Sequence, residues 1–210
     1  MVWSRGEAAD RAITKIGGRP YRSAASPWPI GPDGFELRFV GQLSFADSSD
    51  LVPVLPADVL LIFGDDDALI AEPDRLVFEW VHLGIEDLVD QLPQREDQLT
   101  PFHGVLHRTY DWPDAEELFA GYRRGEILAV WEGTKLGGVP HYIQGDESAV
   151  GRFIGALGSI AVPEDDRNPF VNVPEPRGRS GDNDLMIGDM GSLYLFLLPD
   201  GRVRGVPQCY

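Results

Sequence analysis

Leu37, Phe39, Gly41, Leu43 and Phe45 alternate with Glu36, Arg38, Val40, Gln42 and Ser44, the period of a β-strand with one buried face. The run 152–160 reads the same way. Residues 59–63 and 193–198 are continuous apolar runs closed by Gly64-Asp65 and by Pro199-Asp200-Gly201, which predicts central strands covered on both faces. Residues 76–81 and 127–131 add two more strands. Helical spacing occurs twice. Ala115, Leu118, Phe119 and Tyr122 fall at i, i+3, i+4 and i+7, with acidic residues in the first turn, Arg123 and Arg124 in the last, and Gly125 as the stop. Ile85, Leu88, Val89 and Leu92 repeat that spacing and end at Pro93. The polar, His-containing stretch 94–111 reads as a linker. The pattern predicts a strand-rich α+β fold.

The chain has only two lysines, and they occupy the same place in two copies of one motif. Thr14-Lys15-Ile16-Gly17-Gly18-Arg19-Pro20 and Thr134-Lys135-Leu136-Gly137-Gly138-Val139-Pro140 share five of seven residues. Downstream, Phe39-Val40-Gly41-Gln42-Leu43 has a counterpart in Phe153-Ile154-Gly155-Ala156-Leu157, and Leu60-Leu61-Ile62-Phe63 in Leu193-Tyr194-Leu195-Phe196. Order is preserved while spacing is not, so an insertion is placed in the Pro-, Gly- and Asp-rich stretch 163–188. The expectation is a single domain over 1–210. Two β-rich repeats, about 12–92 and 117–210, joined by the linker 94–111, are related by a pseudo-twofold axis.

A glycine pair followed two positions later by proline specifies a tight turn, where the missing Cβ permits positive φ and close approach of another segment. A phosphate cradle would need a helix N-terminus immediately downstream and a lysine after the glycines. Here the lysine precedes them, and Pro20 and Pro140 lead into loop. Retention of lysine twice, in a chain with 16 arginines, points to a slim ammonium packed along apolar surface and bonded to nearby carbonyls or an acid. The candidate binding residues are Lys15, Gly17, Gly18, Gln42, Lys135, Gly137, Gly138 and Asp189, the last between Gly188 and Gly191. The alternative stays open that Lys15 and Lys135 converge on an anion.

The Lys-x-Gly-Gly-x-Pro motif, Trp28-Pro29, Phe39-Val40-Gly41-Gln42-Leu43 and Gly188-Asp189-Met190-Gly191-Ser192-Leu193-Tyr194-Leu195-Phe196 resemble the bacterial YwqG-like family, a domain family of unknown function. The same superfamily includes the eukaryotic programmed cell death protein 2 relatives, which carry a Lys-x-Gly-Gly-x-Pro motif and are associated with escorting a ribosomal protein. The resemblance implies a duplicated, strand-rich α+β fold and a protein-binding, chaperone-like role; some bacterial relatives occur in toxin–immunity settings. Ala156 departs from the pattern by standing where the first repeat has Gln42. The cysteines of the eukaryotic relatives are missing, so no metal-assisted behaviour carries over.

Composition changes the picture chiefly through charge. Of 210 residues, 43% are apolar and 25% charged, ordinary for a soluble domain, but 18 basic against 34 acidic residues leave a net charge of −16. Such a chain is repelled by nucleic acid and anionic membranes and attracted to basic proteins; the charge alternatively serves only to keep the protein soluble or reflects a salty habitat. No apolar run approaches the roughly 20 residues of a bilayer span, and residues 1–10 lack a signal-peptide core. A cytoplasmic location is the expectation. Cys209 is the single cysteine, which excludes an intrachain disulfide and a cysteine zinc cluster.

No catalytic set assembles on the sequence. His103 and His107 would share a helix face, but no Glu completes a His-Glu-x-x-His site. Asp65-Asp66-Asp67 reads as an acidic turn closing a strand, and Asp182-Asn183-Asp184 begins like a calcium loop that fails at Met186. No metal or cofactor is expected. The sequence therefore predicts a non-enzymatic binding module, immunity or chaperone-like, whose acidic surface engages a basic client protein, a toxin among the candidates. The alternative is a small-molecule or nucleotide binder, an enzyme included, with Lys15 and Lys135 at an anion site.

Overall fold

The computed structural model describes residues 1–108, 133–145, 151–160, 171–172 and 183–210. Two sheets carry the fold. The larger runs in the order β5-β4-β3-β2-β6-β1-β9, with β1 Val2–Arg5, β2 Lys15–Ile16, β3 Phe39–Ser44, β4 Val59–Phe63, β5 Val77–Val81, β6 Phe102–Val105 and β9 Val171–Asn172. The smaller runs β11-β10-β8-β7, with β7 Lys135–Leu136, β8 Arg152–Gly158, β10 Ser192–Leu197 and β11 Val203–Gln208. All pairings are antiparallel except the short β1–β9 contact.

Helix among the described residues amounts to α1, Asp66–Ile70, and two single 3₁₀ turns. The expected α+β class is therefore corrected to a nearly all-β fold. The helix expected from Ile85 to Leu92 does not form. Its backbone pairs with a neighbouring loop instead: Val89 N–H donates to Arg22 O at 2.9 Å, and Ala24 N–H to Asp87 O at 2.9 Å. Groups bonded to 22–24 cannot close i to i−4 turns, so tertiary pairing overrides the apolar spacing. The second expected helix, around 115–125, the strand 127–131 and most of the insertion 163–188 lie outside the described residues.

Residues of both sheets meet in one apolar cluster. Ile16, Val40, Leu43, Leu60 and Ile62 come from the larger sheet, and Leu136, Ile154, Leu157, Leu193 and Leu195 from the smaller. The outer face of the larger sheet carries a second cluster with Leu37, Phe39, Leu61 and Phe63, and that of the smaller a third with Ala156, Tyr194 and Phe196. Val59–Phe63 is accordingly buried at every position, as its unbroken apolar run predicts. On β3 the simple alternation fails, because Val40 is an extra residue between the pairs Phe39–Phe63 and Gly41–Ile62. This bulge shifts the parity. Phe39 and Gln42 then share the outer face, while Val40 and Leu43 point into the shared core. β8 has the same irregularity beside Ile154.

The stretch read as a linker enters the sheet. β6 lies between β2 and β1, its Phe102 buried. The expected duplication of whole halves about a pseudo-twofold axis is not shown, since the sheets have seven and four strands. What recurs is the local setting of the two lysine motifs.

Candidate functional site

β2 is two residues long and wedged between β3 and β6, with Lys15 opposite Gln42 and Ile16 opposite Gly41. Adjacent residues of a strand face opposite ways. Ile16 joins the shared core, so Lys15 faces outward beneath the loops that cover the larger sheet. It is only 1% exposed. Its Nζ donates to Arg19 O at 2.8 Å, which closes the glycine turn over the lysine stem. Burial drives its pKa down to about 8, opposed by the nearby Glu7 carboxylate and assisted by Arg11 and Arg19.

Gly17 and Gly18 both adopt positive φ, 58° and 65°, a left-handed pair that side chains with a Cβ resist. Space forbids one as well: a Cβ on Gly17 would lie 2.6 Å from Leu99 O. At Gly18 it would overlap the Glu7 carboxylate, which accepts the Arg19 N–H at 2.7 Å. Gln42 is fully buried and joins three backbone segments. Its Oε1 accepts from Tyr21 N–H at 2.8 Å, and its Nε2 donates to Arg11 O at 2.8 Å and Ile13 O at 2.7 Å. Thr14 Oγ1 accepts from Ser44 N–H at 2.9 Å, anchoring the start of the motif.

The second motif repeats this geometry on the smaller sheet. Thr134 Oγ1 accepts from Gly158 N–H at 3.0 Å, and Gly137 N–H donates to Ile154 O at 2.9 Å as Gly17 N–H does to Val40 O at 3.0 Å. Gly137 and Gly138 have φ of 67° and 75°. Lys135 stands over the Phe153 ring at 5.9 Å. Ala156 occupies the place of Gln42 and cannot make its bonds. A glutamine from another strand does comparable work: Gln208 accepts from Ile143 and Gln144 N–H at 2.8 and 3.0 Å and donates to Gly145 O at 2.9 Å. Sequence reading missed Gln208, because a glutamine two residues from the end carries no motif.

The structure thus brings Lys15, Gly17, Gly18 and Gln42 together, and Lys135, Gly137 and Gly138 together. It does not bring the two groups to one point. Leu136 shares the core with Ile16, so Lys135 and Lys15 sit on the outward faces of different sheets, and the convergence on one anion is not the arrangement found. Residues 19–22 after the first glycine pair are not helical, so no helix N-terminus adjoins it. Asp189 belongs to neither group. It is an exposed turn residue whose backbone O accepts from Tyr210 N–H at 3.2 Å, between Gly188 and Met190 with φ of 54° and 58°.

The remaining candidates have structural partners. His103 lies on β6 with Nδ1 2.9 Å from Gly6 O, and His107 follows in exposed loop, so they share no helix face. Asp65 caps α1 by accepting from Ala68 N–H at 2.9 Å and pairs with Arg75 at 2.5 Å, while Asp66 pairs with Arg38 at 2.5 Å. Asp182 lies outside the described residues; Asp184 is buried beside Arg5 at 3.3 Å. Among the described residues no cluster of three or more His, Cys, Asp or Glu has metal-holding geometry, and no helix is long and apolar enough to cross a membrane.

Two buried arginines went unanticipated. Arg22 forms a bidentate pair with Glu79 at 2.6 and 3.0 Å, donates to Ser26 O and Pro27 O, and stacks near Trp28 and Phe63. Arg38 adds a 3.2 Å bond to Asp97 O. Other cations are paired nearer the surface, as in Arg11–Asp90, Arg19–Glu7, Arg95–Asp97, Arg108–Asp50 and Arg202–Asp200.

No curated protein matches the chain. The model of a family described as a domain of unknown function, DUF1963, matches residues 14–75, from the Thr14 anchor through Lys15, the first glycine pair, Gln42 and α1, and stops short of the second lysine motif.

Proposed function

We propose that this protein is a non-enzymatic binding module whose acidic surface engages a basic client protein. The observation that carries the reading is where its positive charge goes. Lys15, Arg22 and Arg38 are buried, and Arg11, Arg19, Arg75, Arg95, Arg108 and Arg202 are each held by a carboxylate of the chain itself. With 34 acidic against 18 basic residues and a net charge of −16, carboxylates outnumber the cations that could neutralise them. Such a field attracts basic surfaces and repels nucleic acid and anionic lipid. The resemblance to the YwqG-like family extends the reading to an immunity or chaperone-like role in the cytoplasm, with a toxin as one candidate client. The anion-site alternative gains no support, because the Lys15 ammonium is bonded to Arg19 O and Lys135 faces elsewhere.

Co-purification from native cells at low ionic strength, followed by elution in rising salt, tests this. The expected result is a partner of high isoelectric point whose affinity falls steadily as ionic strength passes the physiological value, where the screening length is about 8 Å. A purified partner that binds equally at low and high salt overturns charge-driven recognition.

A further inference from the structure

Just ahead of β3, residues 30–36 form a tight hairpin, closed by the bridge between Ile30 and Glu36 and by Gly31 N–H donating to Phe35 O at 2.8 Å. Its base is pinned. Leu37 N–H donates to Pro29 O at 2.9 Å, Trp28 Nε1 donates to Leu37 O at 2.7 Å, and Arg95 Nη1 donates to Glu36 O. At the tip, the Asp33 carboxylate accepts the Phe35 N–H at 3.2 Å.

This held tip carries two large apolar side chains into solvent, Phe35 at 70% exposure and Ile30 at 54%. A single exposed apolar residue needs no explanation. An aromatic ring on a pinned turn differs, because little freedom remains to be lost on contact, and such side chains anchor interfaces.

Charge around the tip names what it meets. Asp33, Glu36 and Glu96 are exposed. The guanidinium groups bonded beside them, Arg38 and Arg95, are 3% and 24% exposed, whereas the Asp66 and Asp97 carboxylates that hold them are 68% and 42% exposed. The cations lie beneath and the acids outside. The Arg95 pKa is raised by its bond to Asp97 and, against the opposing effect of burial, by the charges of Asp97, Asp65 and Asp33, which ties the hairpin acid to the same field.

A ring set among carboxylates favours arginine over lysine. The guanidinium stacks on an aromatic face while its N–H fork binds carboxylate, and it is less strongly hydrated than an ammonium. A second copy of a chain with net charge −16 is repelled from this tip.

We propose that the 30–36 hairpin is where the basic client docks, an arginine-rich segment of the client lying across the Phe35 ring and the carboxylates of Asp33 and Glu36. The inference rests on the acidic-surface reading and gives that surface a place and a preferred cation.

The test titrates nona-arginine and nona-lysine peptides, equal in charge, against the full chain by calorimetry at low and high salt. Phe35→Ala and Phe35→Leu remove the ring, the second keeping an apolar side chain in case the first does not fold. Glu36→Gln removes one charge at the hairpin, and Asp47→Asn removes one from an exposed position beyond the other end of β3. Melting curves establish that each variant folds. Nona-arginine should bind about two- to fivefold more tightly than nona-lysine, the worth of an exposed cation–π contact. Both Phe35 variants should erase that preference and leave nona-lysine binding unchanged, and Glu36→Gln should weaken both peptides more than Asp47→Asn does. Equal binding of the two peptides with a strong salt dependence, an arginine preference that survives loss of the ring, or equal effects of Glu36→Gln and Asp47→Asn overturns the hairpin's role and leaves the charge reading standing. No binding of either peptide at low salt overturns both. Self-association that the Phe35 variants abolish assigns the tip to a second copy and overturns the inference.

Discussion

The ammonium of Lys15 is the most buried charge tied to the shared motif, and its cost is readable through pH. Below pH 8 the folded and unfolded chains both hold the proton, so the folded state bears the full desolvation cost. A fall from 10.5 to about 8 corresponds to something on the order of 3 kcal/mol. Between pH 8 and 10.5 the folded form releases its proton first, the unfolded chain binds more protons, and stability from this group rises. Wild type should therefore gain on Lys15→Met as pH climbs through that window, by up to about 3 kcal/mol, in urea titrations of both proteins. Parallel pH profiles would show that the lysine is not desolvated as its burial implies.

Strand pairing alone does not hold β2 and the loops over each sheet; two glutamines do. Gln42 ties Arg11, Ile13 and Tyr21 to β3, and Gln208 ties 143–145 to β11. Gln42→Leu keeps the volume but leaves two carbonyls and an N–H without partners, and buried groups so abandoned cost about 1–3 kcal/mol each. We expect a loss of roughly 3–5 kcal/mol, with Gln208→Leu near the lower end because its loop is less buried. Denaturant midpoints measure both, and hydrogen exchange should show the losses concentrated at Tyr21 for one and at Ile143 and Gln144 for the other. Uniform exchange changes would argue against local stitching.

Across the molecule the two sheets share one apolar cluster, so neither should melt alone. Leu195 lies on β10 of the smaller sheet, fully buried, and its truncation to alanine should cost about 2–5 kcal/mol. Trp3 and Trp80 lie on β1 and β5 of the larger sheet and Trp28 packs on its outer face, so with Trp112 and Trp131 replaced by phenylalanine the tryptophan signal reports on that sheet. Leu195→Ala is expected to lower the midpoint seen by tryptophan fluorescence as much as that seen by far-UV circular dichroism, in one transition. A fluorescence midpoint that stays put while the dichroism shifts would mean the sheets unfold separately.

How much of this was legible in the chain follows from the range of the forces involved. The unbroken run Val59–Phe63, the 193–198 run and the glycine turns were readable, because burial on both faces and positive φ impose their demands on consecutive residues. That the lysine at position 15 is a slim ammonium held by nearby carbonyls or an acid was readable from the retention of lysine in both motifs of an arginine-rich chain; only the structure chose the Arg19 carbonyl. The helix spacing of Ile85 to Leu92 misled, because its backbone is claimed by residues 22–24, some sixty positions away, and no local pattern records such a claim. The 94–111 stretch read as a linker because two apolar residues amid polar ones suffice for a strand once β1 and β2 flank it. The bulge at Val40, which turns Gln42 to the outer face, and the substitution of Gln208 for a missing counterpart at Ala156 were likewise decided only in three dimensions. Local sterics and solvent preference are written residue by residue; which distant segment satisfies a buried backbone group is settled only when the sheets close on one another.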